Sequence, residues 1–167
     1  NRASTLFDAK DRANQAVSAL GAAQSGINAI NRLADLAEAV ALSARGGSAA
    51  EREAAAQQFD EIRSQINNLA NDVSFGGVNL ISSQPSTLDV SFSDNGGSSL
   101  SIVGVPSDAQ ALGINSAVTT GNNFATDADI QNAVGEIASA VTTLRSTSSS
   151  LGTNNAVLSI REEFSTN

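Results

Sequence analysis

The side chains that could carry chemistry in this 167-residue chain are carboxylates, because the sequence contains no histidine and no cysteine. The pairs considered as candidate paired carboxylates are Glu162 with Glu163 and Asp127 with Asp129. Helical neighbours at i and i+1 do not face each other, and Asp127 and Asp129 stand where acidic residues stabilise the start of a helix. Nucleophilic triads and zinc hydrolysis lack the residues they need. We therefore expect no catalytic residue, no metal site and no enzymatic activity.

Glycine-containing turns are the second place where a ligand could bind. Asp94-Asn95-Gly96 has the residue types of a calcium loop but too few oxygen ligands in the required order. Gly76-Gly77 and Gly96-Gly97 lack the lysine and helix that follow a phosphate-binding loop. We interpret these segments as turns and expect no cofactor. Residues 146–150 and 119–120 are serine- and threonine-rich; we interpret them as polar surface, with O-linked glycosylation as the alternative.

Composition restricts the possible partners. The formal net charge is −8, which argues against nucleic acid and against an anionic membrane surface. No run of about 18 apolar residues is present, so we expect no membrane insertion. Apolar residues make up 41% of the chain but only six are aromatic, all Phe. This balance is typical of a coiled-coil core built from Ala, Ile, Leu and Val.

The elements that position these side chains are long helices. Residues 4–45 lack proline and have apolar residues at helical spacing. Their seam is Leu6, Ala9, Ala13, Ala16, Leu20, Ala23, Ile27, Ile30, Leu33, Leu36 or Ala37, and Val40. Gly46-Gly47 ends this helix, and Ser48 with Glu51 predicts a capping box for a second helix over 49–73. The second seam is Ala55, Phe59, Ile62, Ile66, Leu69 and Val73.

The second half of the chain predicts a hairpin and a third long helix. Alternating apolar residues predict two strands within 88–103, with 94–97 as their turn. Residues 104–125 are predicted to be loop with a helical turn near 108–112. The last helix spans 127–164, with a seam at Ile130, Val134, Ile137, Val141, Leu144, Ser148, Leu151, Val157, Ile160 and Phe164.

These elements predict a mainly α fold: an elongated, antiparallel, coiled-coil-like bundle of three helices with a small β-hairpin, forming one domain over 1–167. The chain starts with Asn1 inside a helical pattern and stops on another. We therefore expect it to be trimmed at both ends.

Three segments of the chain resemble bacterial flagellins. The sequences D-R-A-N at 11–14 and A-Q-S-G-I-N-A-I at 23–30 resemble the first helix of the family's N-terminal conserved region. The sequence N-D-V-S-F-G-G-V-N-L-I at 71–81 resembles the family's T-x-F-N-G-x-x-L-L turn, with Gly76 at the usual Asn.

The third segment resembles the family's C-terminal L-R-S…L-G-A-x-Q-N-R block. It consists of L-R-S at 144–146, L-G at 151–152 and N-N at 154–155, with Thr153 and Asn154 in the Ala-x-Gln run and Ala156 at the Arg. The resemblance covers about 2–82 and 126–167.

The resemblance implies a structural subunit of the bacterial flagellar filament, which self-assembles into a helical polymer for swimming motility. It implies an extracellular protein, exported by the flagellar type III system with an export chaperone. The short middle region implies a smooth, thin filament. The family's terminal helices, which line the filament channel, are missing here, so the resemblance implies that this chain alone does not polymerise.

Flagellins also present a helical patch, R-V-R-E-L-A-V-Q, to a vertebrate Toll-like receptor. The corresponding surface here consists of Arg32, Asp35, Leu36, Glu38 and Val40. Reading without gaps from 11–14 places the receptor-contacting arginine near Leu36, and counting back from 43–46 places it on Asp35. Only an insertion aligns it with Arg32. We interpret this surface as a solvated helix face and expect weak receptor activation.

Two alternatives remain open at this point. A hook–filament junction protein shares the same helical core. A ligand-binding cell-surface flagellin homologue would need an aromatic-lined cleft, for which six scattered Phe residues provide little material.

Overall fold

A helix of 42 residues forms the axis of the molecule. A computed structural model describes the backbone of residues 2–92 and 99–166 and the side chains of 11–92, 99–161 and 163. In chain order the elements are α1 (Arg2–Ser43), α2 (Ala49–Asp72), β1 (Thr87–Ser91), β2 (Ser99–Val103), α3 (Ala109–Leu112) and α4 (Asp127–Thr166). At about 1.5 Å per residue, α1 is about 63 Å long. The mainly helical fold with a small antiparallel hairpin confirms the predicted fold class.

The long helices α2 and α4 both pack against α1. Arg45 donates a hydrogen bond to Gln131 at one end of the α1–α4 pair (2.7 Å), and Asn155 donates to Gln24 farther along it (3.3 Å). Residue numbers therefore rise along α1 as they fall along α4, so the two helices are antiparallel. Within the described residues, no helix is both long and apolar enough to cross a membrane.

Side-chain caps fix where α2 and α4 begin. Ser48 Oγ accepts from the Glu51 amide (3.2 Å), and the Glu51 carboxylate accepts from the Ser48 amide (3.1 Å), which confirms the predicted capping box. The pKa of Glu51 lies below its ordinary value, chiefly because the Ser48 backbone amide donates to the carboxylate and secondly because of a side-chain hydrogen bond with Ser48. Thr126 and Asp129 form the same reciprocal pair before α4. Gly46 has φ +73° in the turn after α1, a conformation that favours glycine.

The buried seam of α1 follows the predicted residues from Ala13 to Ile30, and the side chains of the predicted Leu6 and Ala9 lie outside the described set. Beyond Ile30 the buried residues are Ala34, Ala37, Ala41 and Ala44, of which Ala37 was the predicted alternative to Leu36. Leu33 and Val40 are half-buried and Leu36 is 52% exposed, so the predicted continuation through these three residues is wrong. The alanines allow close helix packing, and the larger residues lie on the adjacent stripe.

The buried seam of α4 keeps one face to Leu158, whereas the predicted stripe changes face after Gly152. Ile130, Ile137, Leu144 and Leu151 are buried as predicted. After Gly152 the buried residue is Leu158, whereas Val157 and Ile160 are exposed, so the predicted stripe is wrong there. The side chain of Phe164, the last predicted seam residue, lies outside the described set.

The hairpin packs beside the first half of α1. Leu88 pairs with Ile102 and Val90 with Leu100, so the apolar residues of both strands share one face. Val90 and Ile102 are buried. The guanidinium carbon of Arg161 lies 4.5 Å from the centre of the Phe92 ring, which joins the hairpin to the last turns of α4. The predicted turn at 94–97 lies outside the described residues.

Polar side chains of α2 hold the segment between β2 and α4 in place. Asp60 accepts from Ser116 Oγ (2.6 Å) and the Ala117 amide (2.7 Å). Arg63 donates to the Ile114 carbonyl (2.7 Å). The predicted loop is therefore tied to α2 by bonds between residues about fifty positions apart, with α3 at the predicted helical turn.

Candidate interaction surface

An apolar groove runs between α1 and α2 on the surface of the rod. Its volume is about 640 Å³. It is lined by Ala29, Arg32, Leu33, Leu36, Gln65, Asn68, Leu69, Asp72 and Val73. No other described element covers it, and Leu36 keeps 52% of its surface exposed. Grooves of this kind between two helices accept an apolar ridge from another chain.

The helical repeat explains how the groove forms. Ala29, Leu33 and Leu36 recur at steps of four and three on α1, next to the buried stripe of alanines, and Leu69 and Val73 do the same on α2. Small seam residues bring the two helix axes together, so the leucines beside the seam meet at the surface rather than inside. The groove floor is thus leucine and valine, with Arg32 and Asp72 among its polar lining residues.

The five residues of the predicted receptor patch do not all lie on the same surface. Arg32 and Leu36 both line the groove. Asp35 is exposed, whereas Glu38 and Val40 are half-buried, and none of these three lines the groove. Val40 packs against the core. Two residues of the predicted patch therefore belong to the groove, and the other three lie outside its lining.

The α2 side of the groove was missed as a surface. Leu69 and Val73 were predicted as seam residues, yet both are half-buried, and Ala70 is the fully buried residue of that turn. One sequence feature could have predicted this surface: α1 and α2 each carry two adjacent apolar stripes, although a seam needs only one. The polar residues Gln65, Asn68 and Asp72 gave no separate signal.

The glycine pair after α2 makes a tight turn. The Phe75 and Val78 amides each donate to the other's carbonyl, both at 3.0 Å. Gly76 and Gly77 have φ values of +60° and +81°, the two positive values that this type of turn requires. Asn and Gly tolerate that conformation best, which explains how Gly76 replaces Asn in the resembling motif.

Comparisons with known proteins agree with this architecture. Residues 1–85 match the family model for the bacterial flagellin N-terminal helical region, which is just over half of the chain. No curated protein matches in a sequence comparison. Among solved structures, the crystal structure of Bacillus cereus flagellin aligns with a TM-score of 0.77, at 13% identity, covering 92% of this chain and 88% of that one.

The structural match by itself shows a shared fold, because the identity is low. The family match spans α1, α2 and the tight turn, the same segments that carry the sequence resemblance. Flagellins are structural proteins of the extracellular flagellar filament, and family and fold together support a filament subunit. The chain belongs to the bacterial flagellin family.

Proposed function

We propose that this chain is the core of a subunit that self-assembles into the flagellar filament and serves swimming motility, with no catalytic activity. The observation that carries the proposal is the open groove between α1 and α2. Its floor is apolar and no described part of the chain covers it. A copy of the same protein that seats an apolar ridge there buries this surface.

The geometry of such a contact favours a fibre over a closed dimer. A groove on one surface that receives a different surface of the next copy makes a heterologous contact, which continues from copy to copy unless the rotation closes a ring. Exposed apolar residues away from the groove, among them Val157 and Ile160 on α4, offer candidate ridges.

The test uses the chain joined to the terminal helices of the family. Leu36→Glu places a charge in the groove, whereas Leu42→Glu places the same charge on the same helix at a residue that is 37% exposed and does not line the groove. Negative-stain electron microscopy after seeding should show long filaments for the parent and for Leu42→Glu, and monomers for Leu36→Glu.

Other outcomes of this experiment favour other functions. If Leu36→Glu polymerises as well as the parent, the groove is not an assembly contact. If the parent remains monomeric and adds only to hook ends, the hook–filament junction protein becomes the better interpretation.

We also propose weak recognition by the flagellin-sensing Toll-like receptor. Asp35 carries a negative charge where one reading of the family patch has its arginine, and Arg32 lies within the groove instead. The Asp35→Arg variant should then activate receptor-reporter cells more strongly than the parent. Equal activation of both, at the level of a strongly recognised flagellin, contradicts the proposal.

Export through the flagellar type III system, with a dedicated chaperone, completes the proposal. It is supported by family membership alone. Secretion of the protein into the medium should stop in cells that lack the flagellar export gate and continue in cells that lack only the filament cap.

A further inference from the structure

Three consecutive residues before α4 adopt a left-handed conformation although none is glycine. Asn122, Asn123 and Phe124 have φ values of +52°, +57° and +56°. L-residues disfavour this region because Cβ crowds the following carbonyl, and Asn tolerates it better than Phe. Such residues normally occur singly, so a run of three stores conformational strain in one turn.

Neighbouring residues hold this strained turn closed. Phe124 is fully buried, and its ring meets the Phe59 ring edge-to-face at 5.5 Å. Arg52 donates to the Phe124 carbonyl (3.1 Å). The Asn123 amide donates to the Ala117 carbonyl (2.9 Å). The conformation therefore depends on contacts made with α2 and the preceding segment, not on local preference.

Arg52 joins the turn to two other segments. It also donates to the Gly47 carbonyl (3.1 Å) and to the Asp127 carboxylate (3.0 Å). One guanidinium thus contacts the α1–α2 turn, the left-handed turn and the start of α4. A movement of the left-handed turn that displaces Arg52 therefore also alters its hydrogen bonds to Gly47 and Asp127.

The surroundings leave room for the turn to open. A cleft of about 490 Å³ lies beside Asn122 and Asn123 and is lined on its other side by the start of α2. Asn123 Oδ1 is buried and accepts no hydrogen bond from the described residues. A buried acceptor without a donor favours any state in which water reaches it.

We propose that residues 122–124 form a strained latch that opens locally. In the open state these residues return to right-handed conformations and lose the Arg52 contact, which releases the start of α4 from α2 while the α1–α4 seam stays folded. The latch gives this end of the rod two states. It acts within a single chain, so it does not depend on filament assembly.

Amide hydrogen exchange of the folded monomer, followed by NMR, tests the latch. The amides that report closure are those of Asn123, Phe124 and Ala125, whose acceptors are the carbonyls of Ala117, Gly121 and Asn122. Local opening should make these three exchange at least about 100-fold faster than amides in the middle of α4, since local openings span a wide range up to global unfolding.

Substitutions at the exposed residue Asn122 separate strain from other effects. Asn122→Gly should slow exchange of the three amides, and Asn122→Ala should speed it by up to about tenfold, because glycine accepts positive φ and alanine does not. Asn132, also exposed but inside α4, is the matched control: there alanine favours the native helix and glycine opposes it. Arg52→Lys should also speed exchange, because one ammonium cannot replace the guanidinium fork.

Two results would overturn the latch. One is exchange of the three amides at the rate of the α4 core, which would mean that they open only on global unfolding. The other is equal exchange in Asn122→Gly and Asn122→Ala, which would mean that the left-handed conformation stores no strain. Circular dichroism of each variant confirms that the chain is folded.

Discussion

Gly26 is a residue at which α1 has no room for a side chain. A Cβ atom there would lie 2.8 Å from Ile81 Cδ1 and 3.1 Å from Val73 Cγ2. The chain crosses α1 at this point as it leaves α2 for the hairpin, so the side chains of the crossing segment rest directly on the helix backbone. Gly21, five residues earlier on the same helix, has no atom within 4 Å of the corresponding position.

The two glycines predict substitutions of opposite sign. Gly21→Ala should raise the free energy of unfolding by up to about 1 kcal/mol, the helix-propensity difference. Gly26→Ala should lower it by about 1 kcal/mol, because overpacking of 1–3 kcal/mol exceeds that gain. Urea unfolding followed by circular dichroism measures both. A Gly26→Ala chain as stable as Gly21→Ala would show that Ile81 moves aside without cost.

Among the elements, α2 is a helix whose first turn is stabilised by a titratable cap. The carboxylate of Glu51 accepts the Ser48 amide, and its pKa is lowered. A carboxyl group whose pKa is lower in the folded chain stabilises the fold above its unfolded pKa, and this stabilisation disappears as the pH falls through the folded value. The contribution of the Glu51 carboxylate to the cap should therefore be present at neutral pH and be lost in acid, whereas the bond from the Glu51 amide to Ser48 Oγ does not depend on pH.

The pH dependence of thermal unfolding tests the cap. Glu51→Gln should lower Tm at pH 7, and the difference from the parent should shrink towards zero below about pH 4, where glutamate is protonated. Glu53→Gln, two residues on and exposed, is the control and should not reproduce this pattern. A Tm difference that stays constant between pH 7 and pH 3 would show that the charge of Glu51 does not contribute.

The seams show what helical periodicity can and cannot predict. The caps at Ser48 and Thr126 and the apolar stripes up to Ile30 and Leu151 follow from local sequence. Beyond those residues the buried seams keep the same spacing, through Ala34, Ala37, Ala41 and Ala44 on α1 and Leu158 on α4. The prediction instead moved one position, to the larger residues Leu33, Val40 and Val157. Alanine at the seam of α1 allows close approach of the partner helices, so residue size was a misleading guide to burial there. The side-chain bonds of Asp60 and Arg63 are also non-local, so no sequence pattern predicted that they fix the 104–125 segment.

The groove itself was not predicted from the sequence. Arg32 and Leu36 were named because the chain resembles flagellins, whose receptor patch falls on this part of the first helix, and in the structure both residues line the groove. The α2 wall of the groove could not be predicted from the sequence, because the exposure of Leu69 and Val73 depends on where α2 lies relative to α1. At the scale of the whole molecule, function depends on surfaces made by pairs of helices, and these follow from packing rather than from one helix's sequence.

The last turns of α4, which lie beside the hairpin, provide the most direct test of how the helices pack. The predicted change of stripe after Gly152 puts Ile160 in the seam, whereas the structure buries Leu158, seven residues after Leu151, and leaves Ile160 65% exposed. Leu158→Ala should therefore destabilise the chain by about 2–4 kcal/mol, the cost of a cavity in a core. Ile160→Ala should change stability by no more than about 0.5 kcal/mol, as is usual for surface substitutions. Urea unfolding of both variants decides between the two faces, and the reverse order of stabilities would mean that α4 is rotated about its axis. In the filament assay, Ile160→Ala should weaken polymerisation only if the exposed face of α4 supplies the ridge for the α1–α2 groove.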